Sequence, residues 1–206
     1  MKLLYSPGAC SLGIHLLLEE IGKPYQAELV NLREGAQFKP EFTSVNPKSK
    51  VPTLVRDDGS VLTEFPAIAF WLAKSNPGAK LLPDDADAQA RALEAMDYVV
   101  STMHMRGFTM IFRPDMFAGP NGDAEGVKAR GMDLFTKGLA VMDAALAGKD
   151  YLLGAFSIAD AALFYVEFWG AARLKLDLPA NCKAHYARML ARPAVARMMA
   201  AEGLAA

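Results

Sequence analysis

Residues 6–25 read SPGACSLGIHLLLEEIGKPY. Pro7-Gly8 ends a short run, Lys2–Ser6, whose composition is that of a strand. Behind Cys10, the residues Leu12, Leu16, Leu17 and Ile21 recur at helical spacing, and Gly22 and Pro24 close the helix. The pattern is a strand feeding a helix over residues 11–21, with a cysteine at the joint. Unpaired N–H groups and the positive end of the helix dipole favour an anion there, so a thiolate at Cys10 is expected to have a lowered pKa. The competing reading makes Cys10 a small buried hydrophobe, the commonest fate of a free cysteine. Three positions on stands Gly13 rather than a second cysteine, so a dithiol redox cycle is not expected.

Working outward, residues 26–31 alternate as a second strand, and residues 38–46 suit a short helix before Asn46-Pro47. Residues 53–56 and 61–63 flank Asp57-Asp58-Gly59, a hairpin signal, and residues 64–74 form a helix with Ile68, Trp71 and Leu72 on one side. After Asn76-Pro77-Gly78 and the linker Pro83-Asp84-Asp85, strand signals almost vanish. Helices are expected at about 87–112, 124–146, 158–173, 180–191 and 194–202. Asp123 and Ser157 are N-cap candidates, Gly148 a C-cap candidate, and Ser157-Ile158-Ala159-Asp160 a capping-box variant.

Bulk composition narrows the function. The chain has 206 residues, 52% hydrophobic and 22% charged, which suits a soluble globular protein of one large or two small domains. Twenty-two Lys and Arg against 23 Asp and Glu give a net charge of −1, which argues against a nucleic-acid surface or a polybasic membrane patch. No apolar run approaches the roughly 18–20 residues that span a bilayer, and MKLLYSPGAC reads as a strand rather than an export signal. Two cysteines 172 positions apart form neither a disulfide framework nor a zinc pattern, so a reducing cytoplasm is expected and a metal is not.

Two further stretches carry chemistry. In NPKSKVPTL, Pro52 precedes a strand; a cis Val51-Pro52 bond would turn the Val51 N–H and C=O toward an extended peptide, whereas a trans bond leaves a rigid loop. In LTEFPAIAFWLA, Glu64 either balances the helix dipole or receives an ammonium group while helix N–H groups hold a carboxylate beside it.

MKLLYSPGACS, NPKSKVPTL and TEFPAIAFWLA, in this order, resemble the thioredoxin-like domain of cytosolic glutathione transferases, and PGACS is similar to the bacterial beta class. MHMRGFTMIFRP and FSIADAALF carry the resemblance through the helical half. It implies an α/β N-terminal thioredoxin-like domain over residues 1–80, binding glutathione, and an all-α C-terminal domain over residues 87–206 with a hydrophobic co-substrate site. It also implies a homodimer, with glutathione as co-substrate between the domains and a hydrophobic electrophile as its partner. The thiolate would be conjugated to that electrophile, with thiol–disulfide exchange through Cys10 as a variant; the alternative is a non-catalytic binding protein with a weakened site.

By the same resemblance, Cys10 and His104 are the catalytic candidates. Cys10, Val51, Pro52, Glu64, Phe65, Asp97 and His104 would hold glutathione, while Ser157 and Asp160 serve folding and Tyr5 stands by. The chain departs from the family pattern at several points. Phe65 replaces the usual Ser or Gly, Met105 a common lysine, and Asp97 a frequent Asn; the lysine after the second strand has no match nearer than Arg33. Low glutathione affinity is therefore expected. Met103, Phe108, Met110 and Phe112 offer apolar area for the second substrate. Cys182 shares a helical face with Tyr186 and Met189 and is expected in the core, His15 is expected to be structural, and His185 is expected to face solvent.

Overall fold

The computed structural model describes residues 1–204. β1 (Lys2–Tyr5) is central because Leu3 and Leu4 have both faces of a sheet to bury against, and they are 0 and 3% exposed. α1 (Ser11–Ile21) follows it and ends at Gly22, which takes φ +69° and donates its N–H to the Leu18 carbonyl at 3.1 Å. This helical crossover lets β2 (Gln26–Leu29) lie parallel to β1, with Lys2 opposite Gln26. All four β2 residues are exposed, so the alternation read in the sequence does not divide buried from exposed positions. The strand is an edge, with a neighbour on one side only.

Two 3-10 turns at Leu32–Glu34 and Ala36–Phe38 lead to α2 (Pro40–Thr43). β3 (Thr53–Val55) runs antiparallel to β1, and β4 (Val61–Thr63) pairs with β3 across the expected hairpin, giving the order β2-β1-β3-β4. α3 (Phe65–Ser75) then packs on α1 through a face that includes Ile68 and Leu72.

The chain divides into two compact units. One comprises Met1–Pro83 with the C-terminal segment from Arg188, the other Asp84–Ala187. The second holds α4 (Ala86–Asp97), capped by Asp85, whose carboxylate accepts from the Ala88 N–H at 2.8 Å. The helix continues through π-helical turns at Tyr98–Phe108 into α5 (Thr109–Phe112), so the single helix expected over 87–112 contains a stretch of i→i−5 hydrogen bonding. α6 (Asp115–Ala118), α7 (Ala124–Ala145), α8 (Ile158–Phe168), which runs on into π-helical turns at Trp169–Arg173, and α9 (Ala180–Leu190) follow. Asp123 caps α7 as expected, but the helix ends at Ala145, and Gly148 takes its positive φ of 72° in the turn beyond.

α8 is buried along its whole length, and its start carries the expected capping box. Ser157 Oγ accepts from the Ala159 N–H, and Asp160 accepts from the Ser157 N–H at 2.8 Å.

Two placements differ from the sequence reading. α10 (Pro193–Ala201), read with the helical half, groups with the first unit and packs on α1. Arg192 Nε meets Glu20 and Arg197 Nε meets Glu19, each at 2.7 Å. His185 does not face solvent; it is 0% exposed. It lies three residues after Cys182 and four before Met189, on the helical face already assigned to the core. Among the described residues, no helix is long and apolar enough to cross a membrane.

Candidate functional site

The turn after β1 is built from its own backbone. The Ala9 N–H donates to the Ser6 carbonyl at 3.0 Å, and Ser11 Oγ donates to the same carbonyl while accepting from the Ser6 N–H. Gly8 takes φ +64°, a conformation that glycine adopts without strain. Cys10 then forms the N-cap of α1, half-buried, with Sγ donating to the Val51 carbonyl at 3.3 Å. This thiol is not depressed as expected. Burial pushes its pKa up to about 12; the backbone N–H groups of Cys10 and Ser11 and the charge of Lys50 pull the other way and lose, and Glu64 adds to the rise.

Val51, 8% exposed, is joined to Pro52 by a cis bond. The loop before it is held by Asn46, itself 1% exposed. Asn46 Nδ2 donates to the Lys50 carbonyl and to Thr53 Oγ1 at 2.9 and 2.8 Å, and Oδ1 accepts from the Lys48 N–H. Sequence reasoning took Asn46 only as a helix stop. The Asn-Pro pair itself was the available signal, since an Asn side chain at a turn hydrogen-bonds nearby backbone groups.

Glu64 is exposed, precedes α3, and takes φ +69°, strained for a residue with a side chain. Its carboxylate is paired with Lys48 Nζ at 2.9 Å, and Lys48 also donates to Thr63 Oγ1. Phe65 opens α3 with its ring in the core, 4% exposed. Cys10, Val51 and Pro52 are thus gathered at one end of the sheet, and Glu64 is near enough to act on the Cys10 charge.

A second contribution missed in the sequence comes from the C-terminus. Glu202 is 5% exposed, accepts from the Gly8 N–H at 2.7 Å, and meets His15 Nδ1 at 2.8 Å. His15, structural as expected, and Glu202 together tie down the loop that presents Cys10. Tyr5 packs its ring on His15 at 5.2 Å; burial first, and then Glu202, raises its hydroxyl pKa.

Asp97 and His104 belong to the other unit. Asp97 is exposed at the end of α4. His104 lies in the π-helical turns, half-buried, with Nδ1 3.3 Å from Tyr165 Oη and its ring edge-on to Tyr165 and to Trp169. Met103 and Phe108 are buried at 0 and 5% exposure, whereas Met105 and Phe112 are exposed. Cys182 is buried in the core as expected.

A mixed sheet of order β2-β1-β3-β4, a cysteine after β1 and a cis-proline before β3 define a thioredoxin-like unit, here joined to a helical one. Residues 8–75 match the family model for the glutathione S-transferase N-terminal domain. Over 99% of its length the chain is 38% identical to the whole of glutathione S-transferase GstA of Escherichia coli O157:H7. It superposes on a sphingomonad glutathione S-transferase complexed with glutathione with a TM-score of 0.83, at 35% identity over all of both chains. The bacterial beta-class enzyme of Sphingomonas chungbukensis gives 0.82 at 32% identity, again over all of both chains. The chain belongs to the glutathione S-transferase family, and its structural neighbours include the bacterial beta class.

Proposed function

We propose that the protein conjugates glutathione to hydrophobic electrophiles. The observation that carries this reading is the meeting of the Cys10 thiol and the Val51 carbonyl beside the cis-proline, with Glu64 at the start of α3. Glutathione would pair its backbone with Val51 and place its ammonium against Glu64, with its γ-glutamyl carboxylate toward the first N–H groups of α3. Its thiol proton passes to solvent, the thiolate sulfur forms the new S–C bond, and the leaving group departs with its electron pair. Cys10, a hydrogen-bond donor here, would turn its S–H from the Val51 carbonyl to the glutathione sulfur and favour the thiolate. The proposal extends to Asp97 and His104 of the helical unit on the strength of the sequence resemblance. It includes a homodimer, a role in detoxification and, with both cysteines free, a reducing cytoplasm.

Thiol exchange through Cys10 is the lesser activity in this reading. A thiol pushed to about 12 leaves about one thiolate in 10⁵ at neutral pH. The binding-protein alternative is favoured by the buried Phe65 ring and by the Lys48 ammonium already on Glu64.

Retention on immobilised glutathione, release by free glutathione, and turnover of a chromogenic aryl halide are the expected results. Retention without turnover favours the binding protein; absence of both refutes the reading. Light scattering at micromolar concentration should return twice the subunit mass, and a monomer mass would remove the homodimer from the proposal.

A further inference from the structure

Within the helical unit, His104 sits in the π-helical turns that follow α4, on a backbone closed by the Thr109 hydroxyl, which donates to the His104 carbonyl at 3.1 Å. Its imidazole ring is clamped by two aromatic side chains four residues apart, one near the end of α8 and one just beyond it. Tyr165 meets the ring edge-on at 5.6 Å and 83°, and Trp169 at 4.8 Å and 79°. Tyr165 and Trp169 are 0 and 3% exposed, and Phe108 stacks nearly flat on Trp169 at 4.0 Å. Close packing on that side leaves neither ring room to yield.

The clamp also carries a polar contact: Tyr165 Oη lies 3.3 Å from His104 Nδ1. Such a bond can run in two directions, and the chemistry of the two groups selects one. A phenol is the more acidic donor and an imidazole nitrogen the more basic acceptor, so the hydroxyl donates to the Nδ1 lone pair. The bond made by one ring nitrogen sets the state of the other, and a neutral ring that accepts at Nδ1 carries its proton on Nε2.

We propose that Tyr165 is a positioning residue that holds His104 as the Nε2–H tautomer, so that His104 serves the reaction as a hydrogen-bond donor and not as a base. The role in the reaction rests on the proposed glutathione chemistry, in which His104 serves the glutathione sulfur; the tautomer rests on the Tyr165 contact alone. With hydrogen on Nε2 and the Nδ1 lone pair committed to Tyr165, the ring has no lone pair left to take the thiol proton, which passes to solvent. Its Nε2–H can instead donate to the thiolate and stabilise the charge on sulfur.

The test begins on the unmodified, ligand-free chain labelled with ¹⁵N, in mildly alkaline buffer where the imidazole is neutral. Long-range ¹H–¹⁵N correlations report which ring nitrogen carries hydrogen, and His104→Gln identifies the His104 signals by deleting them. A pyrrole-type Nε2 and a pyridine-type Nδ1 are expected, and in Tyr165→Phe both should move toward the average of the two tautomers. Turnover of an aryl halide reads the consequence. Tyr165→Phe should lower kcat by about threefold or more, the loss of one net hydrogen bond, with KM for glutathione unchanged. When His104 is already Gln, the same substitution should change kcat by less than about twofold, because Tyr165 acts through His104. A His104 proton on Nδ1, a tautomer pattern unmoved in Tyr165→Phe, or equal losses of kcat with and without His104 would each overturn the proposal. Absence of turnover in the unmodified chain would refute the glutathione chemistry instead, and the ligand-free spectra would still decide the tautomer.

Discussion

Cys10 meets the protein first as a donor. Its S–H points to the Val51 carbonyl, and burial holds the proton on sulfur up to about pH 12. Ultraviolet titration of Cys10 in the ligand-free protein, with Cys10→Ser as the blank, should therefore show no thiolate at neutral pH and an onset only in alkali. A neutral thiolate plateau would mean that the helix N-terminus outweighs desolvation after all. Phe65 makes the same point with packing. By the family resemblance it stands where Ser or Gly is usual, yet its ring is 4% exposed. Phe65→Ser should cost about 3–5 kcal/mol of stability through a core cavity, read as a lowered urea midpoint. An unchanged midpoint would show that the ring does not pack.

Elements with strong local signals were legible. The Leu12–Ile21 spacing and the Gly22 stop marked α1 at Ser11–Ile21, and Asp57-Asp58-Gly59 marked the β3–β4 hairpin. Spacing does not reveal how closely two helices approach. A Cβ added to Gly131 of α7 would lie 2.7 Å from the Gly107 carbonyl oxygen and from Met110 Cβ, so the helices cross almost backbone to backbone. Gly131→Ala should therefore destabilise by about 1–3 kcal/mol, because a helix must shift. Gly78→Ala, where an added Cβ meets nothing within 4 Å, is the control. Equal melting temperatures for the two variants would contradict the crossing. The π-helical turns at Tyr98–Phe108 were likewise invisible, since no sequence periodicity distinguished them from α-helix.

For the molecule as a whole, pH dependence should reflect a buried trio in the helical unit. Asp160, Glu167 and His185 are all 0% exposed. His185 Nδ1 lies 2.8 Å from Glu167, and Nε2 lies 3.3 Å from Asp160. Leu152 N–H and Ser157 hold the Asp160 carboxylate, and Tyr151, Cys182 and Tyr186 complete the surroundings. Burial pushes Glu167 up to about 7, against the pull of His185. The His185 ring reaches about 9, its two carboxylates overcoming burial. Both folded-state values exceed the unfolded ones, so the fold retains protons that the unfolded chain releases. The stabilisation is full below the ordinary carboxylate range, and it is lost as pH rises first through about 7 and then through about 9. Urea unfolding should show stability falling across that window, and Glu167→Gln should flatten its acidic half. A rise in stability over the same interval would refute the assignment.

Apolar periodicity, Gly and Pro punctuation and capping residues are local quantities, and they were enough to indicate a strand–helix unit followed by helices. The ordered motifs around Cys10, Val51-Pro52 and Glu64 added the family, because each is a short contiguous run. The state of the Cys10 proton, the Lys48 ammonium on Glu64, and the Glu202 carboxylate that reaches Gly8 across 194 positions were not legible. The same holds for the burial of His185 among carboxylates. Each depends on desolvation or on partners remote in the chain, and those arise only when distant segments close over one another.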